Sequence, residues 1–248
     1  MRPDLSTSLG LARSLLIYYG QPWRRSSLKT FYAGLIEPGD LVFDIGAHAG
    51  SRSRTLLSLG AKVVALEPQP VFADFIMRSF AGEELTLLRK AAGRKSGSVD
   101  LHISSRHPTV TSISSPWISK VGKTPGFRTV VWDRIERVEM TTLDALIGDF
   151  GLPAFCKIDV EGAEADILAG LHHAIPLIAF EYIPAAMEIA EEAIGHLQIL
   201  GAYRFNRVEG ERHRFVHDDW IAADALLAEL PELAGGALSG DIYAKLDA

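Results

Sequence analysis

Leu41-Val42-Phe43-Asp44-Ile45-Gly46-Ala47-His48-Ala49-Gly50 decides the fold of this chain. A short β-branched and aromatic run that ends in an acid and then glycines marks a strand feeding a tight turn. The residues after it, Ser51 to Leu59, space their apolar side chains like one face of a helix, which predicts a strand–loop–helix junction. Such junctions bind nucleotide-like ligands, because N–H groups at a helix start lack intrahelical partners and glycine lets a ligand approach them. Twenty-three residues beyond Asp44, Glu67 closes a second strand-like run, Lys62-Val63-Val64-Ala65-Leu66. An acid at the tip of the second strand is placed to accept hydrogen bonds from both ribose hydroxyls of an adenosine.

What the loop lacks narrows the cofactor. A dinucleotide fingerprint needs a second glycine where His48 stands and a third where Ser51 stands. A crowded loop suits a pyrophosphate poorly, and Asp44 at its entrance points to positive charge on the ligand. S-adenosylmethionine fits, with no phosphate, a sulfonium, an α-ammonium for an acid and a carboxylate for a helix start. Gly122-Lys123-Thr124 ends like a phosphate loop, but Trp117 stands where the first glycine belongs, so a simple turn is expected.

The 248 residues suit one α/β domain with small additions, and 48% hydrophobic with 23% charged residues is a globular composition. No apolar run reaches the roughly 18 residues of a membrane span. Leu15-Leu16-Ile17-Tyr18-Tyr19 is a short apolar core with no small-residue cleavage site after it, so no signal peptide is expected. The single cysteine, Cys156, rules out an internal disulfide, and its place in a predicted core strand makes it a buried, inert thiol; a cytoplasmic location is expected. Residues 1–137 carry 19 Lys+Arg against 11 Asp+Glu, and residues 138–248 carry 6 against 20. A sheet that interleaves the halves disperses this dipole; alternatively, Arg24, Arg25, Lys29, Arg52 and Arg54 favour an anionic substrate near the cofactor mouth. A net charge of −6 and the lack of a basic stripe interleaved with aromatics argue against nucleic-acid binding.

Residues 5–36 read as two helices, an N-terminal helical extension (1–36) that could mediate an oligomer contact, ahead of a domain over 37–248. The second helix opens at Pro22 and closes before Pro38-Gly39. From residue 40 the pattern predicts strands at 41–45, 62–67, 85–90, 154–158 and 177–182, and helices at 51–59, 70–80, 161–170 and 185–200. That alternation implies a doubly wound, mostly parallel sheet with helices on both faces. Between 97 and 140 the rhythm breaks: a strand over Ser98–Ser104, a Ser/Thr/Pro-rich loop to about 126, and a short strand at Val138–Thr141. An excursion this long is usually a lid or a substrate wall. Thr142 caps a helix over Leu143–Phe150, and the end reads strand 202–208, strand 212–217, helix 219–229 and strand 241–246.

Lys157-Ile158-Asp159-Val160-Glu161-Gly162-Ala163-Glu164 closes the fourth parallel strand and opens a helix. It puts Asp159 and Glu161 at the same carboxyl edge as Asp44 and Glu67, where ligands bind when strand order reverses. Four acids converging there need a ligand or a proton to relieve repulsion. Glu164 and Asp166 read as helix N-terminal acids. His102 and His107 in the excursion read as surface residues or bases, and neither His172-His173 nor His213 and His217 has metal-ligand spacing.

The stretches Asp44-x-Gly46-Ala47-x-x-Gly50, Glu67-Pro68, Thr142-Leu143-Asp144, Lys157–Glu164 and Gly240-Asp241-Ile242-Tyr243-Ala244 resemble the FkbM-type S-adenosylmethionine-dependent methyltransferases, from about residue 37 to the end. The resemblance implies a seven-stranded Rossmann-like sheet whose last strand inserts antiparallel beside the fifth. It also implies methyl transfer, often to a hydroxyl of a sugar or secondary metabolite. By position, Asp44, Gly46 and Gly50 shape the methionine end, with Ala47 and His48 in the same loop, where members often have Asn at the latter. Glu67, followed by Pro68, takes the ribose, Ala91 lies near the adenine, and Asp159 closes the pocket. The Thr109–Ser114 stretch resembles the family's hydroxyl-rich loop.

An alcohol acceptor must lose its proton, so a base or a metal is expected nearby. Candidates are Asp159, Glu161, Glu181, His102 and His107. Glu161 with Asp159 orienting it is the first choice; a divalent ion on the edge acids is open, and no metal is assigned. Two rivals stand beside a methyltransferase acting on oxygen: a nicotinamide-dependent oxidoreductase, against which His48 argues, and a non-catalytic S-adenosylmethionine-binding module. The acceptor is expected to be a small molecule or glycan.

Overall fold

The computed structural model describes residues 10–16, 22–236 and 238–247. Of the two helices expected over 5–36, α1 covers 10–16 and α2 covers Pro22–Tyr32, and residues 5–9 and 17–21 lie outside the described residues. The strands are β1 Leu41–Ile45, β2 Lys62–Leu66, β3 Leu85–Leu88, β4 Lys90–Ala92, β5 Gly97–Ile103, β6 Arg134–Thr141, β7 Phe155–Ile158, β8 Leu177–Tyr182, β9 Tyr203–Glu209 and β10 Gly240–Leu246. The remaining helices are α3 Ser51–Leu57, α4 Pro70–Ser79, α5 Ser115–Val121, α6 Leu143–Phe150, α7 Glu164–Leu168, α8 Met187–Leu200 and α9 Ala223–Ala234.

A seven-stranded sheet runs β3-β2-β1-β7-β8-β10-β9, so strand order reverses between β1 and β7. Its pairings are parallel from β3 to β8 and antiparallel where β10 meets β8 and β9. The expected α/β class holds, with the parallel character ending at that edge. Apolar runs such as Leu41-Val42-Phe43 form central strands because both faces are covered. Phe43 and Ile45 point into one core with α7, α8 and α9, while Val42 points into the other with Tyr32, Leu56 and Ile76. Tyr32, 1% exposed, packs edge-on against Phe155, and Phe31 meets Phe215 and Tyr243, so α2 is seated on the sheet.

Three expectations need correction. The strand expected over 85–90 divides: β3 stays in the main sheet, and after Arg89 the chain leaves it as β4, which pairs with β6 in a second sheet ordered β4-β6-β5. The Ser/Thr/Pro loop contains α5, capped by Ser114, whose hydroxyl accepts the Trp117 N–H at 3.3 Å. Ser-Ser-Pro at its start is a capping signal the sequence does carry. The strand expected at 212–217 does not form; Gly210 and His213 take positive φ (51° and 48°), which breaks an extended run. That segment is tied to β9 by the Asn206 side chain instead, which bonds the His217 backbone at 2.8 and 3.2 Å.

Thr142 caps α6 as expected, accepting the Ala145 N–H at 3.1 Å. Asp144 in its first turn accepts the His172 N–H at 2.9 Å and faces ring nitrogens of His172 and His173 at 2.7 and 3.0 Å. Burial alone would raise the Asp144 carboxyl, but these hydrogen bonds outweigh it and hold it below the ordinary aspartate value. A depressed folded-state value stabilises the fold above the unfolded aspartate range, and that stability is lost as pH falls through the folded value. Urea unfolding followed from neutral into acid is expected to show this loss, and Asp144→Asn to flatten it; an unchanged acid limb in the variant would contradict the assignment.

No helix among the described residues is long and apolar enough to cross a membrane.

Candidate active site

The carboxyl ends of β1 and β7 lie side by side, with Ile45 in register with Ile158, and a cavity opens above them. Its floor is the turn after β1, with Asp44, Gly46, Ala47 and His48. Glu67 and Pro68 form one wall, Ala91 contributes from β4, and Asp159 and Glu161 form the opposite wall. The excursion supplies the cover through Leu101, Pro108, Thr109, Thr111 and Ile113. Of the cofactor-binding residues expected from sequence, Gly50 is not on this wall; it lies beneath the Phe80 ring. Of the candidate bases, His102, His107 and Glu181 are also off the wall, His102 facing the Ser115 hydroxyl at 3.1 Å and Glu181 lining a small neighbouring pocket.

Each acid has a distinct setting. Asp44 is 1% exposed; one carboxylate oxygen accepts from the Ser53 hydroxyl, and Oδ1 has no hydrogen-bond partner among the described residues. Burial raises its carboxyl above the ordinary value despite Ser53 and the nearby Arg52 and Lys157. A buried, half-satisfied carboxylate on a cavity wall is a cost that a cationic ligand removes. Glu67, 2% exposed, accepts the His48 N–H through Oε2 and the Gln69 N–H through Oε1, both at 2.7 Å. Each oxygen keeps a second acceptor position, enough for the two hydroxyls of a ribose. Burial pushes this carboxyl up to about 7 against the lowering effect of those N–H groups. His48 is held neutral by burial, down to about 3, with its ring centroid 3.9 Å from that of Phe72.

Beneath the second wall lies an ion network that the sequence does not reveal. Lys157 is fully buried, with Nζ 3.0 Å from Asp241, 3.4 Å from Asp159 and 3.1 Å from the Ile158 carbonyl. Burial works against its charge, but Asp159 and Asp241 outweigh that and hold the ammonium firmly protonated. Arg52 faces Asp159 and Asp241 at 3.7 Å each and Glu211 at 3.9 Å. Burial would raise Asp159, yet Lys157 and Arg52 bring it below the ordinary value. At Glu161 the balance goes the other way: burial first, then Asp159 and Glu164, outweigh the lowering effect of Lys157 and hold its carboxyl well above the ordinary range. A carboxyl raised in this way on a cavity wall is a candidate for proton transfer. The Glu164 carboxylate, 2% exposed, accepts the N–H of Val160 at 3.2 Å and of Gly162 at 3.0 Å, shaping the turn that carries Glu161.

The excursion grips that turn directly. Glu161 sits at φ 59°, an unusual conformation for a non-glycine residue, and its carbonyl accepts the Ser112 hydroxyl at 2.6 Å. The Trp117 ring covers Gly162 so closely that a Cβ there would lie 2.2 Å from Trp117 Cγ. The Gln69 side chain ties the cover to the Glu67 wall, donating to the Pro108 carbonyl at 3.2 Å and accepting from Thr111 at 3.1 Å. Ser112, Trp117 and Gln69 carry no sequence motif, since their part in the site exists only once the excursion folds back.

The expected basic cluster at the mouth does not assemble. Of that cluster's described side chains, only Arg52 lines the cavity. Arg25 and Lys29 are exposed, Lys29 bonding the Ser58 carbonyl, and Arg54 lies 4.2 Å over the Phe80 ring. Arg24 has no described side chain.

A family model described as the methyltransferase FkbM domain matches residues 44–217. A chloroplastic ribosomal RNA small subunit methyltransferase of Arabidopsis thaliana is 39% identical over 49 residues, which span 20% of this chain and 14% of that protein. A precorrin-6y C5,15-methyltransferase from Geobacter metallireducens is 13% identical, with 91% of this chain and 89% of that one covered and a TM-score of 0.48. A TehB-like SAM-dependent methyltransferase from Corynebacterium glutamicum is 12% identical, covering 92% and 96%, with a TM-score of 0.45.

Proposed function

Since the chain belongs to the FkbM methyltransferase family, whose cofactor is S-adenosylmethionine, we propose that it methylates a hydroxyl on a sugar or secondary-metabolite acceptor. The observation that carries this is the meeting of Asp44, Glu67 and Glu161 on one covered cavity at the reversal of strand order. When bound, S-adenosylmethionine supplies an electrophilic methyl group on a sulfonium, open to in-line attack by oxygen. Asp44 would hold the α-ammonium, Glu67 the ribose hydroxyls, and Ala91 would lie beside the adenine, with Pro68 shaping the ribose wall. Alignment of donor and acceptor then does most of the work. Glu161 takes the proton leaving the acceptor hydroxyl, and Asp159, held by Lys157 and Arg52, orients it. The cover keeps water from the reacting atoms.

Calorimetry with S-adenosylhomocysteine, S-adenosylmethionine and NADH tests this. Binding of the first two and none of NADH is expected, with Asp44→Asn weakening S-adenosylhomocysteine by about 1.5–3 kcal/mol through loss of a charged hydrogen bond. Affinity is also expected to fall as pH drops through about 7, where Glu67 takes up a proton, and Glu67→Gln to abolish that dependence. Selective NADH binding would overturn the proposal.

A further inference from the structure

Asp159, Glu161 and Glu181 each bring a carboxylate oxygen within 4.8 Å of the others. Asp159 and Glu161 follow β7 and Glu181 is the next-to-last residue of β8, and the register of Ile158 with Phe180 holds the two strand tips together. A second observation is independent of that convergence: Glu181 Oε2 is buried and accepts no hydrogen bond among the described residues. A buried carboxylate oxygen without a donor is costly unless a cation reaches it.

The protein's own cations do not fill that place. Lys157 is committed to Asp241 and the Ile158 carbonyl and reaches the cluster only through Asp159. Arg52 is divided among Asp159, Glu211 and Asp241. Among the described residues no lysine, arginine or histidine pairs with Glu161 or Glu181.

The geometry points to a divalent-cation site formed by Asp159 and Glu161, on the wall of the cavity, together with Glu181, which lines the small neighbouring pocket beside Trp117 and Gly162. Three carboxylates and no nitrogen or sulfur ligand suit a hard ion, Mg²⁺ or Mn²⁺, over zinc or copper. One oxygen from each acid serves the ion, which leaves the second Glu161 oxygen to receive a proton. Rested on the methyltransferase proposal, the consequence is that an acceptor hydroxyl touching the ion becomes a stronger acid.

Mn²⁺ alone, titrated into the full chain and followed by electron paramagnetic resonance, tests the site. One ion per chain is expected, with Glu181→Gln and Glu161→Gln each weakening it at least about tenfold. Glu139→Gln, on an exposed part of β6, should match wild type. Mn²⁺ should also raise the wild-type melting temperature, which tests the site without any variant. No Mn²⁺ binding at millimolar concentration, or equal binding in both glutamine variants, overturns the site. Parallel S-adenosylhomocysteine calorimetry separates the two ideas: Mn²⁺ failure with intact nucleoside binding removes the ion site alone, and the reverse pattern removes the methyltransferase assignment alone.

Discussion

Lys157→Met is expected to destabilise the fold by about 3–5 kcal/mol, read as a lowered urea midpoint at unchanged slope. The ammonium is fully buried between Asp159 and Asp241, at 3.4 and 3.0 Å. Methionine fills similar volume, so the loss is electrostatic: two acids keep their desolvation cost and lose their nearest cation. Arg52, at 3.7 Å from each, does not replace it. The double variant Lys157→Met/Asp241→Leu should recover part of the loss, because removing both charges of a buried pair costs far less than removing one. A single variant within about 1 kcal/mol of wild type would show that Asp159 and Asp241 do not depend on this ammonium, since breaking a buried pair normally costs more than that. S-adenosylhomocysteine affinity should fall too, since Asp159 is a wall of the cavity.

Gly46→Ala is expected to cost at least about 3 kcal/mol and to abolish S-adenosylhomocysteine binding in whatever protein still folds. Gly46 has φ 86°, and a Cβ there would lie 1.9 Å from the Asp159 carbonyl oxygen. That obstacle is backbone, so no rotamer relieves it. The Asp159 N–H is bonded to the Ile45 carbonyl at 2.9 Å, and Gly46 and Ala47 both donate to the Leu66 carbonyl, at 3.0 and 2.9 Å. Relief therefore means parting β1 from β7 or β2 at the floor of the cavity. Circular dichroism melting and calorimetry on the same sample check both halves. A variant that melts and binds like wild type would mean that the β1 and β7 tips do not pack this closely.

Much of the candidate site was legible because its parts are local. Asp44 to His48, Glu67-Pro68 and Asp159 to Glu161 each sit in a few consecutive residues at a strand tip, and parallel strands bring such tips to one edge. The Ser51–Leu57 helix and the Leu143–Phe150 helix were legible for the same reason, one from apolar spacing and the other from Thr142. The second sheet was not. β6 alternates intermediate and exposed positions, so nothing in Arg134-Ile135-Glu136-Arg137 announces a strand until Gly97–Ile103 pairs with it.

The sequence by itself determined the strand–loop–helix order, the acids at the strand tips and the kind of ligand those acids suit, because short-range periodicity and turn chemistry act between neighbours in the chain. Only the tertiary structure decided that Lys157 is buried between Asp159 and Asp241, that Ser112 and Trp117 hold the Glu161 turn, and that Glu181 joins Asp159 and Glu161. Those contacts join residues tens of positions apart, and desolvation and packing act through space, where no local pattern records them.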